Sequence, residues 1–137
     1  MFTTHIPANT MFAVSSGIDS IAACFLLQRK FGIKKIFHFN HNCQKINGAM
    51  EEAVVRYAHD FDLELVLKRS DVPLVTEAAC RTARLKAVFD GNTDVVLATA
   101  HHLDDFVESY LLNCFRGKSN FFPISFETEF GNVTRVL

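Results

Sequence analysis

Short apolar runs alternate along this chain with longer stretches in which apolar positions recur every three to four residues. Strand-period runs separated by helix-period runs mark repeated β-α units. Met11–Ser15 reads as a strand, followed by a helix over Asp19–Phe31 that is apolar on nearly every side and is closed by Gly32 as a C-cap. Lys35–Asn40 is a second strand. Asn47 is expected to cap an amphipathic helix whose stripe is Met50, Ala53, Val54, Tyr57, Ala58 and Phe61. Leu63–Leu67 is a third strand, Pro73 is expected to open a helix running to about Phe89, and Asp94–Thr99 is a fourth strand. A fourth helix, Leu103–Arg116, is expected to turn Leu103, Val107, Tyr110, Leu111 and Cys114 inward and to end at Gly117.

Strands separated by helices pair in parallel through right-handed crossovers. The expected fold is therefore an open, mostly parallel α/β sheet with helices on both faces, formed by residues 1–137 as one domain. Ligands of such sheets bind beyond the carboxyl ends of the strands, near the switch in strand order. The last twenty residues break the rhythm: Phe122, Ile124, Phe126, Thr128 and Phe130 alternate with polar or small positions, as in a half-buried strand. Gly131-Asn132 is expected to turn that strand into a hairpin with Val133–Leu137. Such a Phe-rich tail covers the domain, pairs with a second copy or docks on a partner chain.

Composition narrows the class. Of 137 residues, 49% are hydrophobic and 21% charged, which excludes a disordered segment. A net charge of −1 gives no global attraction to nucleic acid, so any RNA contact has to be local or assisted. No apolar run reaches the roughly 18–20 residues of a membrane span, and the amino terminus has no signal-peptide pattern; a cytoplasmic domain without membrane contact is expected. The four cysteines are scattered without a C-x-x-C pair, and three fall in apolar helical patterns expected to bury them.

Three polar clusters fall at the carboxyl ends of expected strands. Ser15-Ser16-Gly17-Ile18-Asp19-Ser20 places a small-residue loop and a helix N-terminus together, which suits an anion. An ordinary Ser/Asp helix cap accounts for the same string. Thr99–Ser109 contains His101-His102 and then Asp104, Asp105 and Glu108 within one helical turn. Helix-dipole complementarity explains the acids but not the histidines, and a metal site is the alternative chemistry. Arg81 and Arg84 share a helix face in a stretch, Lys68–Lys86, with five basic and two acidic residues. That is either a solvated face or a phosphate contact, of a nucleotide or of an RNA backbone.

Taken in this order, the clusters resemble the PP-loop ATP pyrophosphatase superfamily, and within it the N-terminal domain of tRNA(Ile)-lysidine synthases. Ser15–Ser20 is similar to the signature S-G-G-x-D-S, with Ser16 in place of the first Gly. A left-handed backbone there would cost a serine about 1–2 kcal/mol. Phe37-His38-Phe39-Asn40-His41 resembles the family's His-containing turn, and Cys80–Arg84 its A-R-x-x-R helix. Thr99–Ser109, Leu111 and Arg116-Gly117 resemble its T-A-H-H-x-D-D-x-x-E-T segment and the L and R-G that follow, with Phe106 for Gln and Ser109 for Thr.

The resemblance implies a Rossmann-like nucleotide-binding domain that uses ATP and Mg2+ to adenylate a base of tRNA, with lysine as the second substrate. It implies contacts to ATP from Ser15, Ser16, Gly17, Ile18, Asp19 and Ser20, and from Phe39, His101, His102 and Arg116. Asp19, Arg81, Asp104 and Asp105 are implied as catalytic residues, with Asp19 and Asp105 as Mg2+ ligands. The related tRNA 2-thiocytidine branch carries C-x-x-C before its arginine helix, where this chain has Glu77-Ala78-Ala79-Cys80. A non-catalytic nucleotide-binding module acting with a partner chain, and a metal hydrolase using His101, His102 and Asp105, are readings from other classes.

Overall fold

Alternation within the strands decides which helices each face of the sheet receives. In a computed structural model of the chain, described for residues 6–43, 45–92, 94–101, 103–117 and 125–135 (without the side chains of 103–106, 109, 125 and 126), ten elements follow one another. They are β1 (Thr10–Ala13), α1 (Ile18–Phe31), β2 (Lys35–Asn40), α2 (Asn47–Asp60), β3 (Glu64–Arg69), α3 (Glu77–Phe89), β4 (Val96–Thr99), α4 (Leu103–Phe115), β5 (Ser125–Glu127) and β6 (Asn132–Arg135). The strand order is β3-β2-β1-β4-β6-β5; the first five are mutually parallel and β5 runs antiparallel to β6.

Phe12, Val14, Ile36 and Ala98 point to one face and pack with Cys24 and Leu27 of α1 and Val54 and Ala58 of α2. Met11, Phe37, Phe39, Leu97 and Val133 point to the other and pack with Leu85, Val88 and Phe89 of α3. Each fully buried side chain of this size contributes on the order of 1.5–3 kcal/mol. Right-handed crossovers place α1 and α2 on the first face and α3 on the second. The chain leaves β1 in one direction toward β2 and β3, then returns through α3 to β4 on the other side of β1. The switch in strand order therefore lies between β1 and β4, with Ala13 in register with Thr99.

Several elements differ from the sequence reading. β1 ends at Ala13 and β3 extends to Arg69. Pro73 does not open α3; the helix starts at Glu77, because Thr76 Oγ1 accepts the Ala79 amide at 3.2 Å and caps it. Ile46 rather than Asn47 occupies the N-cap of α2, while Asn47 Oδ1 accepts the Cys43 amide at 3.2 Å. Gly32 does cap α1, with φ 68° and its amide on the Gln28 carbonyl. On α4, Val107, Tyr110, Leu111 and Cys114 are exposed rather than inward, as are Leu112 and Phe115; Leu103 lies outside the described side chains. Among the other helical cysteines, Cys24 is buried and Cys80 half-buried.

The tail joins the domain's own sheet. The central residues of its turn are Glu129 and Phe130, not Gly131-Asn132: the Thr128 amide donates to the Gly131 carbonyl at 2.8 Å and the Gly131 amide to the Thr128 carbonyl at 3.2 Å. Thr128 Oγ1 also accepts the Phe130 and Gly131 amides. Residue 131 has to be glycine because a Cβ there would lie 2.5 Å from Phe89 Cδ1. From this turn β6 returns alongside β4, pairing Arg135 with Thr99. Residues 121–124 of the expected strand lie outside the described residues.

Candidate functional site

The carboxyl ends of β1 and β4 stand side by side, so the loops that follow them share one crevice. His38, buried in β2, donates from Nδ1 to the Val14 carbonyl at 2.8 Å, and the Val14 amide donates to the Phe37 carbonyl at 2.8 Å. A carbonyl only accepts, so this bond also fixes the tautomer of His38. Both bonds hold the chain in place as it leaves the sheet.

The Ser15–Ser20 loop is then closed by its own hydroxyls. Ser20 Oγ accepts the Ser15 amide at 3.1 Å and lies 2.7 Å from the Ser15 carbonyl, 3.0 Å from the Gly17 carbonyl and 2.9 Å from Ser15 Oγ. The Gly17 amide donates to Ser15 Oγ at 3.2 Å. Ser20 is buried and its hydroxyl is engaged within the loop, so it shapes the site from inside. Gly17 is the extended N-cap of α1 and offers no side-chain cap, which leaves the first-turn amides of Ile18, Asp19 and Ser20 outside the helical ladder. Amides and helix dipole together favour an anion there. Ser16 is not among the residues with positive φ, which outside glycine are Asn42 and Asp62 among the described residues, so serine sits in this loop without backbone strain.

Asp19 and Ile18 project from the first turn of α1 into solvent. Across the crevice, His101 Nδ1 lies 2.7 Å from Thr99 Oγ1, with Thr99 buried at the end of β4. His102 and the side chains of Asp104 and Asp105 lie outside what the structure describes; the backbone places both aspartates in the first turn of α4. Among the described residues no three His, Cys, Asp or Glu side chains gather as a metal site. An exposed Asp19 beside open amides fits an ion that arrives on a phosphate chain, not one caged by protein alone.

Two other expected contacts are carried by β2 and by the end of α4. Phe39 is buried in the core on the α3 face, between Phe37 (ring centroids 6.5 Å) and His41 (5.0 Å). Arg116 follows the far end of α4, whose thirteen residues span roughly 20 Å, and so lies away from the crevice. A hollow of about 350 Å3 lined by Phe25, Leu26, Leu27, Arg29 and Lys30 lies toward the carboxyl end of α1, also away from it.

At the carboxyl ends of β2, β3 and β6, the residues that the motifs did not single out are Glu51, Arg69 and Arg135. Glu51 of α2, buried, accepts Asn40 Nδ2 at 2.9 Å and Arg69 Nε at 2.8 Å, and pairs with Arg69 through a second guanidinium nitrogen as well. The Arg69 hydrogen bonds hold the Glu51 carboxyl down to about 2, against an opposing desolvation effect. Asn40 and Arg69 are register partners, so this network ties α2 to the carboxyl ends of β2 and β3. On the α3 face, burial and the charge of Arg81 lower both Arg84 and Arg135, while Cys80 opposes the shift of Arg84. His41 is lowered by burial, then by Arg84 and His38. Arg135 has a sequence signal only in hindsight: a cation ending a short β-period run.

Known proteins share this arrangement. The family model described as PP-loop domain matches residues 2–127. The tRNA(Ile)-lysidine synthase of Haemophilus ducreyi is 30% identical over 120 residues, covering 84% of this chain and 28% of the relative. That of Staphylococcus aureus (strain COL) is 30% identical over 138 residues, covering 90% of this chain and 32% of the relative. The chain thus spans about a third or less of the length of these relatives. Among solved structures, the U34-tRNA thiolase NcsA of Methanococcus maripaludis, determined with its 4Fe-4S cluster, superposes with a TM-score of 0.67 at 17% identity, over 92% of this chain and 50% of that one. Its likeness establishes the fold. With a matching family model over nearly all its length and a loop-and-crevice geometry to go with it, the chain belongs to the PP-loop domain family.

Proposed function

We propose that this domain catalyses ATP-dependent adenylation of a tRNA base, of the kind performed by its lysidine synthase relatives. The observation that carries the reading is the meeting of the Ser15–Gly17 loop and the Thr99–His101 segment at the β1/β4 switch, in a chain 30% identical to those enzymes. The C2 carbonyl oxygen of a cytidine attacks the α-phosphorus of ATP and pyrophosphate leaves. The ε-amine of lysine then attacks C2, and AMP leaves with the oxygen that had been on the base.

The loop and the motif residues divide the tasks in this scheme. The Ile18, Asp19 and Ser20 amides and the Ser15 hydroxyl receive the charge of the departing pyrophosphate, which a preformed set of donors stabilises without reorganising. Arg81 meets the adenylated intermediate. Asp19, and by resemblance Asp105, holds Mg2+, which supplies charge neutralisation on the phosphates; Asp104 orients the amine. tRNA and lysine are the substrates, in the cytoplasm where both occur, and a homodimer or partner chain completes the assembly.

A second reading, a nucleotide-binding module that works through a partner, draws on the exposed apolar side chains Val107, Tyr110, Leu111, Leu112 and Phe115 of α4. ATP labelled at the α-phosphate separates the two. Incubated with bulk tRNA, with and without lysine, the enzyme yields labelled AMP that is lost in Asp19→Ala. The module binds ATP and yields neither AMP nor ADP.

A further inference from the structure

Among the described residues, the buried polar side chains are Thr10, Ser20, His38, Glu51 and Thr99. Ser20, His38 and Thr99 each meet a segment at the carboxyl edge of the sheet: the Ser15 amide, the Val14 carbonyl and His101. Glu51 does the same by way of Asn40. Its carboxylate only accepts, so Asn40 Nδ2 faces it, at 2.9 Å, and Asn40 Oδ1 is turned toward the loop that follows β2. There Oδ1 accepts the Asn42 amide at 2.9 Å. Asn42 has φ 53°, a left-handed conformation that asparagine tolerates when its surroundings hold it. Further bonds run to the chain after β3. The Ser70 amide donates to the Asn40 carbonyl at 2.9 Å, Asn42 Nδ2 to the Ser70 carbonyl at 3.4 Å and the Leu74 amide to the His41 carbonyl at 3.2 Å.

β2 lies next to β1 in parallel, with Ala13 opposite Phe37, so both strands release their chains at one edge of the sheet. The loop after β2 therefore adjoins the Ser15–Ser20 loop. Anchoring α2 to β3 requires only the Glu51–Arg69 pair; the run from Glu51 through Asn40 to Asn42 leads away from that anchor into the loop. A glutamine at 51 would accept from Asn40 or donate to it alike, and the amide would no longer be forced to present its oxygen to Asn42. We propose that Glu51 is a positioning residue for ATP: acting through Asn40, it holds His41–Cys43 in the conformation that walls the nucleotide crevice on the β2 side. This inference rests on the proposed function in taking ATP as the occupant of that crevice. A wall set before the ligand arrives removes ordering cost from binding.

The test compares Glu51→Gln with Val54→Ala, a change on the same helix that removes core contacts and none of these hydrogen bonds. Calorimetric titration with ATP, below the melting temperature of parent and variants, is expected to show affinity at least about fivefold weaker in Glu51→Gln, the low end of coupling between two sites. Val54→Ala, which loses stability by leaving a cavity, is expected to bind ATP as the parent does. In turnover the loss falls on KM for ATP, with kcat within about twofold of the parent. Hydrogen exchange followed by NMR is expected to quicken at the Asn42 amide in Glu51→Gln and not in Val54→Ala. If Glu51→Gln does not fold, Asn40→Ala, which keeps the Glu51–Arg69 pair, is expected to show the same loss. Parent-like ATP affinity in folded Glu51→Gln or Asn40→Ala overturns the proposal. An equal loss in Val54→Ala overturns it too, since Glu51 would then act only on stability. A parent that binds ATP without forming AMP fails the proposed function and leaves the binding comparison standing.

Discussion

Ser15 and Ser20 fix each other: their hydroxyl oxygens lie 2.9 Å apart, and the Ser15 amide donates to Ser20 Oγ at 3.1 Å. A six-residue span is thereby closed before any ligand arrives, and the first-turn amides of α1 are aimed without further ordering. Ser20→Ala removes the centre of this knot and leaves the Ser15 amide without its acceptor. Stability is expected to fall by about 1–3 kcal/mol in urea titration, with weaker ATP binding by calorimetry. An unchanged urea midpoint would show that the hydroxyl network contributes nothing.

Ser16 occupies the place of a signature glycine without adopting positive φ. Ser16→Gly should therefore leave ATP affinity within about twofold while lowering stability by about 0.4–1 kcal/mol through the freer unfolded chain. A large gain in affinity would mean that serine distorts the loop.

Acid should attack the α2 anchor. With Arg69 and Asn40 holding the Glu51 carboxyl near 2 rather than its ordinary 4.5, the folded state binds fewer protons than the unfolded one. The anchor's stabilisation is complete above pH 4.5 and is lost as pH falls toward 2. Glu51→Gln is expected to lower the melting temperature at pH 7 and to flatten its decline between pH 4.5 and 2. Parallel parent and variant curves across that window would contradict this.

Gly131 is pressed against Phe89, so Gly131→Ala forces the ring or the hairpin to move. A loss of roughly 1–3 kcal/mol is expected, with partial recovery in Gly131→Ala/Phe89→Leu. An equally stable single variant would show that β6 is free to shift.

The strands and the loop at their ends were legible because short apolar runs and small-residue strings are local signals; which core each strand residue enters, Phe12 on one face and Phe37 and Leu97 on the other, came only with the structure. The start of α3 was misread because Pro73 is a favoured opening residue, whereas the Thr76 hydroxyl, bonded to Ala79, makes the actual cap. Apolar spacing on α4 identified a helix but not its covered side, since periodicity says nothing about which stripe another surface meets. Arg135 carried no motif signal, and only the strand order, which sets β6 beside β4, brings it level with Thr99. His102, Asp104 and Asp105 were read from the motif, and their side chains lie outside the described structure.

The central claim, adenylation of an RNA base, is tested most directly by oxygen transfer. A tRNA substrate labelled with oxygen-18 at the cytidine C2 carbonyl is incubated with the protein, ATP, Mg2+ and lysine, and the AMP is examined by mass spectrometry. The account predicts AMP heavier by one labelled oxygen, in step with loss of label from the base. Label retained on the RNA, with AMP absent or unlabelled, would contradict it.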